Sequence, residues 1–123
     1  EAYNKIKPLA YSLFSKETIT IYDRISRQDI STLDIAEISS SGYVVDTLEA
    51  SLWVILNARN FKEAIIGSVN LGNDTDTIGA ITGSMAGIIY GYDNIPKNWL
   101  NKLVKKEYLE DLCASFEEAI KNN

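Results

Sequence analysis

Through most of this chain, apolar residues return at steps of three and four, a spacing that predicts helices. Tyr3, Ile6, Leu9, Ala10, Leu13 and Phe14 follow it over residues 2–15. A proline inside a helix costs about 3 kcal/mol, so Pro8 implies either a kink or a helix that starts near Lys7 with Pro8 in its first turn. Residues 18–25 place Ile21, Tyr22 and Ile25 on a helix face, while the β-branched Ile19, Ile21 and Ile25 also suit a strand. Helix is the reading adopted. Residues 26–41 are polar and rich in Ser and Thr, which predicts a long irregular connection with one short helical turn.

The clearest stripe is Val45, Leu48, Leu52, Ile55 and Leu56, which predicts a helix over residues 44–57 with that face inward and with Asp46 and Glu49 near its positive end. A second helix is expected over residues 61–69, capped by Asn60, with Phe61, Ala64, Ile65 and Val69 inward and Leu71, Gly72 and Asn73 ending it. In the next segment, residues 75–90, Gly79, Gly83, Gly87 and Gly91 recur four apart and leave one side of the helix almost bare. Each glycine costs about 1 kcal/mol against alanine in a helix, so four in register imply close approach of another backbone. Pro96 is expected to start a short helix through Leu103, with Trp99, Leu100 and Leu103 inward. A last helix over residues 107–120 would bury Leu109, Leu112, Cys113, Phe116, Ala119 and Ile120. The fold class is therefore all-α, a single domain over residues 1–123 built as an orthogonal multi-helix assembly.

Composition narrows the chemistry. With 123 residues, 46% hydrophobic and 24% charged, the chain is the size and make-up of one folded domain. Its net charge of −5 and lack of a basic run argue against nucleic acid as a ligand. The longest apolar stretch, residues 78–90, is interrupted by Gly, Thr and Ser and falls short of the roughly 20 residues that span a bilayer, so no membrane partner is expected. One cysteine excludes an internal disulfide and leans towards a cytoplasmic setting. Cys113 is expected to be a packed, inert thiol. Histidine is absent, which removes Ser-His-Asp and Cys-His catalysis. Carboxylates, hydroxyls, backbone groups or a hard metal ion remain.

Those groups gather at one place. Asp74, Thr75, Asp76 and Thr77 directly precede the glycine-ridged helix. One such side chain suffices to cap a helix, and a second Asp adds repulsion that a cation would relieve. Oxygen ligands of this kind suit Mg²⁺, Mn²⁺ or Ca²⁺. Capping and metal binding both fit the residues.

The flanking sequence is more specific. GYVVDTLEA at 42–50, VNLGNDTDTIGAITG at 69–83, AGIIYG at 86–91 and IPKNWL at 95–100 occur in order. Together they resemble the C-terminal part of the ADP-ribosylglycohydrolase family, most closely over residues 39–103. That resemblance implies an all-helical hydrolase that uses two Mg²⁺ or Mn²⁺ ions to cleave the N- or O-glycosidic bond between ADP-ribose and a modified side chain or small molecule. It also implies that Asp74, Asp76 and Thr77 are metal ligands and that Tyr43 lines the substrate; packing within the core or loop is the other reading of Tyr43. Thr75 is left as a capping or supporting residue, and Asn73, standing where many members have Gly, suits a left-handed backbone.

Family members are about twice this length or more, and their N-terminal part supplies a catalytic acidic residue and a Thr-Asp-Asp triplet that does not occur here. The chain is therefore expected to be a C-terminal fragment, holding half of the metal cage and inactive alone. The rival reading is a non-catalytic nucleotide-binding or structural relative, like the family's lens-crystallin members. Homo-oligomerisation through a surface bared by truncation, with the glycine ridge one candidate, is the further expectation.

Overall fold

The computed structural model describes residues 5, 8, 9, 12–27 and 29–122. Much of the expected first helix lies outside the described residues; within it, Lys5, Pro8, Leu9, Ser12 and Leu13 are helical. Helix α1 (Lys16–Ile21) opens on Ser15, whose Oγ accepts from the Thr18 N–H at 3.2 Å. Tyr22 interrupts it, and α2 (Asp23–Arg27) follows. The helix expected over residues 18–25 is thus two short ones, and Ser26 belongs to α2 rather than to the connection. Two 3₁₀ turns follow instead of one: Ile30–Thr32, capped by Asp29, and Ile35–Glu37, closed by a reciprocal Asp34 and Glu37 capping box.

Helix α3 (Val44–Asn57) and α5 (Thr75–Tyr90) have the expected bounds, and α4 (Phe61–Asn70) runs one residue further than expected. Asn60 caps α4 as its side chain predicts, accepting from the Glu63 N–H at 2.9 Å. A 3₁₀ turn (Tyr92–Asn94), α6 (Lys97–Leu100) and α7 (Lys106–Lys121) complete the chain. The helix after Pro96 is shorter than expected and stops at Leu100. Among the described residues there is no strand, and no helix is long and apolar enough to cross a membrane.

The core lies where α3, α4 and α5 pack on one another. Val54, Phe61, Ala64 and Ala86 form one buried cluster and Ile38, Ala50 and Ile78 a second, with Trp53 and Leu71 against both. Trp53 also reaches the first 3₁₀ turn, its Nε1 donating to the Leu33 carbonyl at 3.0 Å.

The inward face of α3 differs from the expected one. Thr47, Ala50, Ser51 and Val54 are buried, whereas Val45, Leu48, Leu52 and Ile55 are half-buried and Leu56 is exposed. Small side chains let α5 and α4 come close, and that proximity outweighs the larger apolar area on the neighbouring face. The glycine ridge serves the same end for half its length. A methyl at Gly79 would lie 3.5 Å from Val69 Cγ1 and one at Gly83 3.3 Å from Ile65 Cδ1, while Gly87 and Gly91 face no atom within 4 Å.

Val69 and Leu103, expected inward, are exposed. So is the apolar face of α7, including Leu112, Phe116, Ile120 and Cys113. None of the substantial helix-to-helix packings involves α7, so amphipathic spacing there marks a face without marking a core.

Candidate functional site

The turn between α4 and α5 is built from two consecutive left-handed residues, Gly72 at φ +82° and Asn73 at φ +53°. Glycine adopts that geometry freely, and Asn tolerates it better than most residues, as expected for Asn73. The reversal presses the turn against the loop ahead of α3. Asn73 Nδ2 donates to Ser40 Oγ at 2.9 Å, Ser40 Oγ donates to the Leu71 carbonyl at 3.1 Å, and the Asp74 N–H donates to the Ser40 carbonyl at 3.2 Å. Ser40, almost fully buried, is the pin between the two segments.

That stitching fixes Asp74 at the start of α5. Its side chain makes no capping bond to the helix backbone. Instead, Oδ1 accepts from Thr77 Oγ1 at 2.8 Å, and Oδ2 faces Gly42, where an added methyl carbon would lie 2.9 Å away. Asp76 and Thr77 are exposed in the first turn, and Asp74 and Thr75 are half-buried. Hydrogen bonding with the Asp74 side chain, and then with the backbone N–H groups of Asp76 and Thr77, holds the Asp76 carboxyl below the usual range. Capping alone therefore does not describe Asp74, the residue that stands at the cap position. Thr75 has its N–H on the Asn73 carbonyl at 3.0 Å and supports the turn.

Tyr43 occupies the position before α3, one residue from the glycine that faces Asp74. It is 57% exposed, so packing within the core is not its role. Tyr43 lines an open cavity of about 260 Å³ together with Tyr22, Arg24, Ser39, Asp46 and Glu49 among others. Asp46 Oδ2 accepts from Ser41 Oγ at 2.6 Å and Ser39 Oγ at 2.7 Å, and these bonds, Ser41's first, hold its carboxyl below the ordinary value. Glu49 is buried and pairs with Arg24 at 3.3 Å; burial pushes its carboxyl up, partly offset by the guanidinium.

The structure brings Asp74 and Thr77 into contact, with Asp76 in the same turn, and sets Gly42, the residue before Tyr43, against Asp74. Sequence reasoning missed Ser40 and Gly42, which hold and clear the space for Asp74, and treated Asp46 only as a helix-start charge. The Ser39-Ser40-Ser41-Gly42 run was the available signal. Three hydroxyls followed by a residue with no side chain can bond inward and admit a neighbour, as well as form a loop.

The donor set suits a hard divalent cation: two carboxylates, one held well ionised, and a hydroxyl. Among the described residues no group of three or more His, Cys, Asp or Glu side chains that could hold a metal ion gathers.

Comparison with known proteins agrees with the fold and the motif blocks. A family profile described as ADP-ribosylglycohydrolase matches residues 3–123. The chain is 55% identical over 80 residues to the ADP-ribosylarginine hydrolase Tri1 of Serratia proteamaculans, a match covering 65% of this chain and 22% of that protein. It is 46% identical over 67 residues to the ADP-ribosyl-[dinitrogen reductase] glycohydrolase of Rhodospirillum rubrum, covering 54% of this chain and 23% of that protein. With the human ADP-ribosylhydrolase ARH3 it shares 33% identity over 60 residues, covering 49% of this chain and 14% of that protein. The matches thus span less than a quarter of these relatives' own length. The chain belongs to the ADP-ribosylglycohydrolase family.

Proposed function

We propose that this chain contributes one side of a divalent-metal site, with Mg²⁺ or Mn²⁺ the cation, to an enzyme that hydrolyses the glycosidic bond of an ADP-ribosylated side chain or small molecule. The observation that carries the reading is the Asp74 carboxylate: it stands at a helix start without capping it, beside a second carboxylate and a hydroxyl. When bound, the cation supplies a Lewis acid that polarises ribose hydroxyls and holds water in position.

This chain's own residues then have distinct tasks. Asp74 and Asp76 would hold the cation, and Thr77 would orient Asp74 through its hydroxyl while offering its own oxygen. Gly42 keeps the approach to Asp74 Oδ2 open. Tyr43 presents an exposed ring and hydroxyl to the nucleotide, by stacking or hydrogen bonding. The dinuclear cage, and hydrolysis itself, would need further ligands from the remaining length that the relatives possess.

Calorimetric titration of ADP-ribose into the chain, with and without Mn²⁺, tests this. Metal-dependent binding that is lost in Asp76→Ala supports the reading. Binding that ignores both metal and mutation overturns it in favour of a non-catalytic nucleotide-binding relative.

A further inference from the structure

Tyr43 holds the cap position of α3, yet its side chain makes no bond to the first turn. Ser, Thr, Asp and Asn are the residues that stabilise such a position, so an exposed tyrosine there needs support from elsewhere. The support is Asp46, three residues on. In a capping box an acid at that place reaches back to the backbone N–H of the cap residue. Here the reach runs through a hydroxyl: the Tyr43 N–H donates to Ser41 Oγ at 3.1 Å, and Ser41 Oγ donates to Asp46 Oδ2 at 2.6 Å. The same carboxylate oxygen accepts from Ser39 Oγ at 2.7 Å. Thr47, which is buried, closes the same turn, its Oγ1 shared between the Ser41 carbonyl at 3.2 Å and the Tyr43 carbonyl at 3.1 Å. Ser40, between the two serines that Asp46 holds, bonds instead to Leu71 and Asn73, and its carbonyl takes the Asp74 N–H. One short loop therefore serves two ends, Tyr43 through Asp46 and Asp74 through Ser40.

We propose that Asp46 is a positioning residue for the nucleotide: through Ser41 it fixes the backbone turn from which Tyr43 meets ADP-ribose, while the metal ligands are left to Ser40 and Gly42. The proposal rests on the reading of Tyr43 as a nucleotide contact. The hydroxyls of Ser41 and Ser39 hold the Asp46 carboxyl below its ordinary value, so it accepts from both throughout the neutral range. A helix cap acting for stability alone would have no reason to affect one ligand and spare the other.

Amide hydrogen exchange followed by NMR on the whole chain, with calorimetric titration of Mn²⁺ and then of ADP-ribose into the Mn²⁺-loaded chain, tests the proposal. In Asp46→Ala the Tyr43 amide should exchange faster while the Asp74 amide keeps its protection. ADP-ribose affinity should fall about tenfold, the worth of one directed contact, and Mn²⁺ affinity should stay within about twofold of the wild type. Asp46→Asn keeps an oxygen for both hydroxyls and should restore both readouts; a charge acting only on the helix dipole would not be restored. Ser41→Ala removes the relay alone and should reproduce the effect should Asp46→Ala fold poorly. Tyr43→Ala should cost as much ADP-ribose affinity by itself, and little more when added to Asp46→Ala. A Tyr43 amide as protected in Asp46→Ala and Ser41→Ala as in the wild type, or Mn²⁺ and ADP-ribose affinities that fall together, overturns the proposal. Full ADP-ribose affinity in Tyr43→Ala overturns instead the reading of Tyr43 on which the proposal rests.

Discussion

Gly42 and Asp74, 32 residues apart in sequence, meet so closely that a methyl on the first would lie 2.9 Å from a carboxylate oxygen of the second. The atom in the way is the end of a short side chain and not backbone. Gly42→Ala should therefore push the Asp74 carboxylate aside while changing stability by about 1 kcal/mol or less. Mn²⁺ affinity should fall roughly 10- to 100-fold, as when the support of a ligand is lost. Thermal melting alongside Mn²⁺ titration checks both halves; equal affinity in the two proteins would remove Asp74 from the ligand set.

Asp76 is exposed in the first turn of α5. Asp76→Asn keeps its shape and removes its charge, so the melting temperature without metal should move little. The stabilisation that added Mn²⁺ confers, which grows with the logarithm of metal concentration over Kd, should disappear. Melting curves at several Mn²⁺ concentrations read this directly.

Arg24 and Glu49 set a pH dependence. Burial raises the Glu49 carboxyl, and Arg24 limits the rise. A carboxyl raised on folding binds its proton more tightly in the folded state. Its contribution is complete below the unfolded value near pH ~4.3 and is lost as pH climbs through the folded one. Arg24→Ala should enlarge that loss and destabilise the chain near neutrality by about 1–2 kcal/mol, less than a fully buried pair because the guanidinium is half exposed. Urea unfolding well below the ordinary carboxyl range should show a smaller difference, since Glu49 is then protonated in both states and what is still missing is the Arg24 bond to the Glu37 carbonyl and the attraction of Arg24 for Asp46.

Ser51 and Thr82 are fully buried, and their hydroxyls have no hydrogen-bond partner. Removing an unsatisfied hydroxyl while keeping the volume relieves a desolvation penalty. Thr82→Val should be neutral or stabilising by roughly 1 kcal/mol, and Ser51→Ala should behave likewise. Chemical denaturation midpoints decide; a clear loss in Thr82→Val would mean that its hydroxyl is satisfied in solution.

Much of this was legible in the sequence where local chemistry decides it. The bounds of α3 and α5 follow from short-range signals: an apolar stripe with Asp46 and Glu49 near its start for one, and the run from Asp74 to Thr77 at the start of the other. The grouping of Asp74, Asp76 and Thr77 was equally legible, because one turn of helix brings them together whatever the rest of the chain does. The buried face of α3 was not. Apolar area favours Val45, Leu48 and Leu52, yet α5 approaches along Thr47, Ala50 and Ser51, and only the path of a neighbouring backbone makes small residues the better choice. Ser40 and Gly42 were hidden for the same reason, since their partners stand more than 30 positions away. Cys113 shows the reverse error, in which helical spacing was read as burial for a helix that finds no core partner.

The four residues between α4 and α5 have a kinetic meaning as well. Closing so short a loop sacrifices little chain entropy, and pairing neighbouring helices is fast because the contacts are local in sequence. The spacing of Asp74, Asp76 and Thr77 is thus fixed by a helical hairpin that can form early, before Ser40 and Gly42 arrive from upstream. Substitutions in α1 or α2 should accordingly alter how much protein folds, while leaving the geometry of the three oxygen donors as the hairpin sets it.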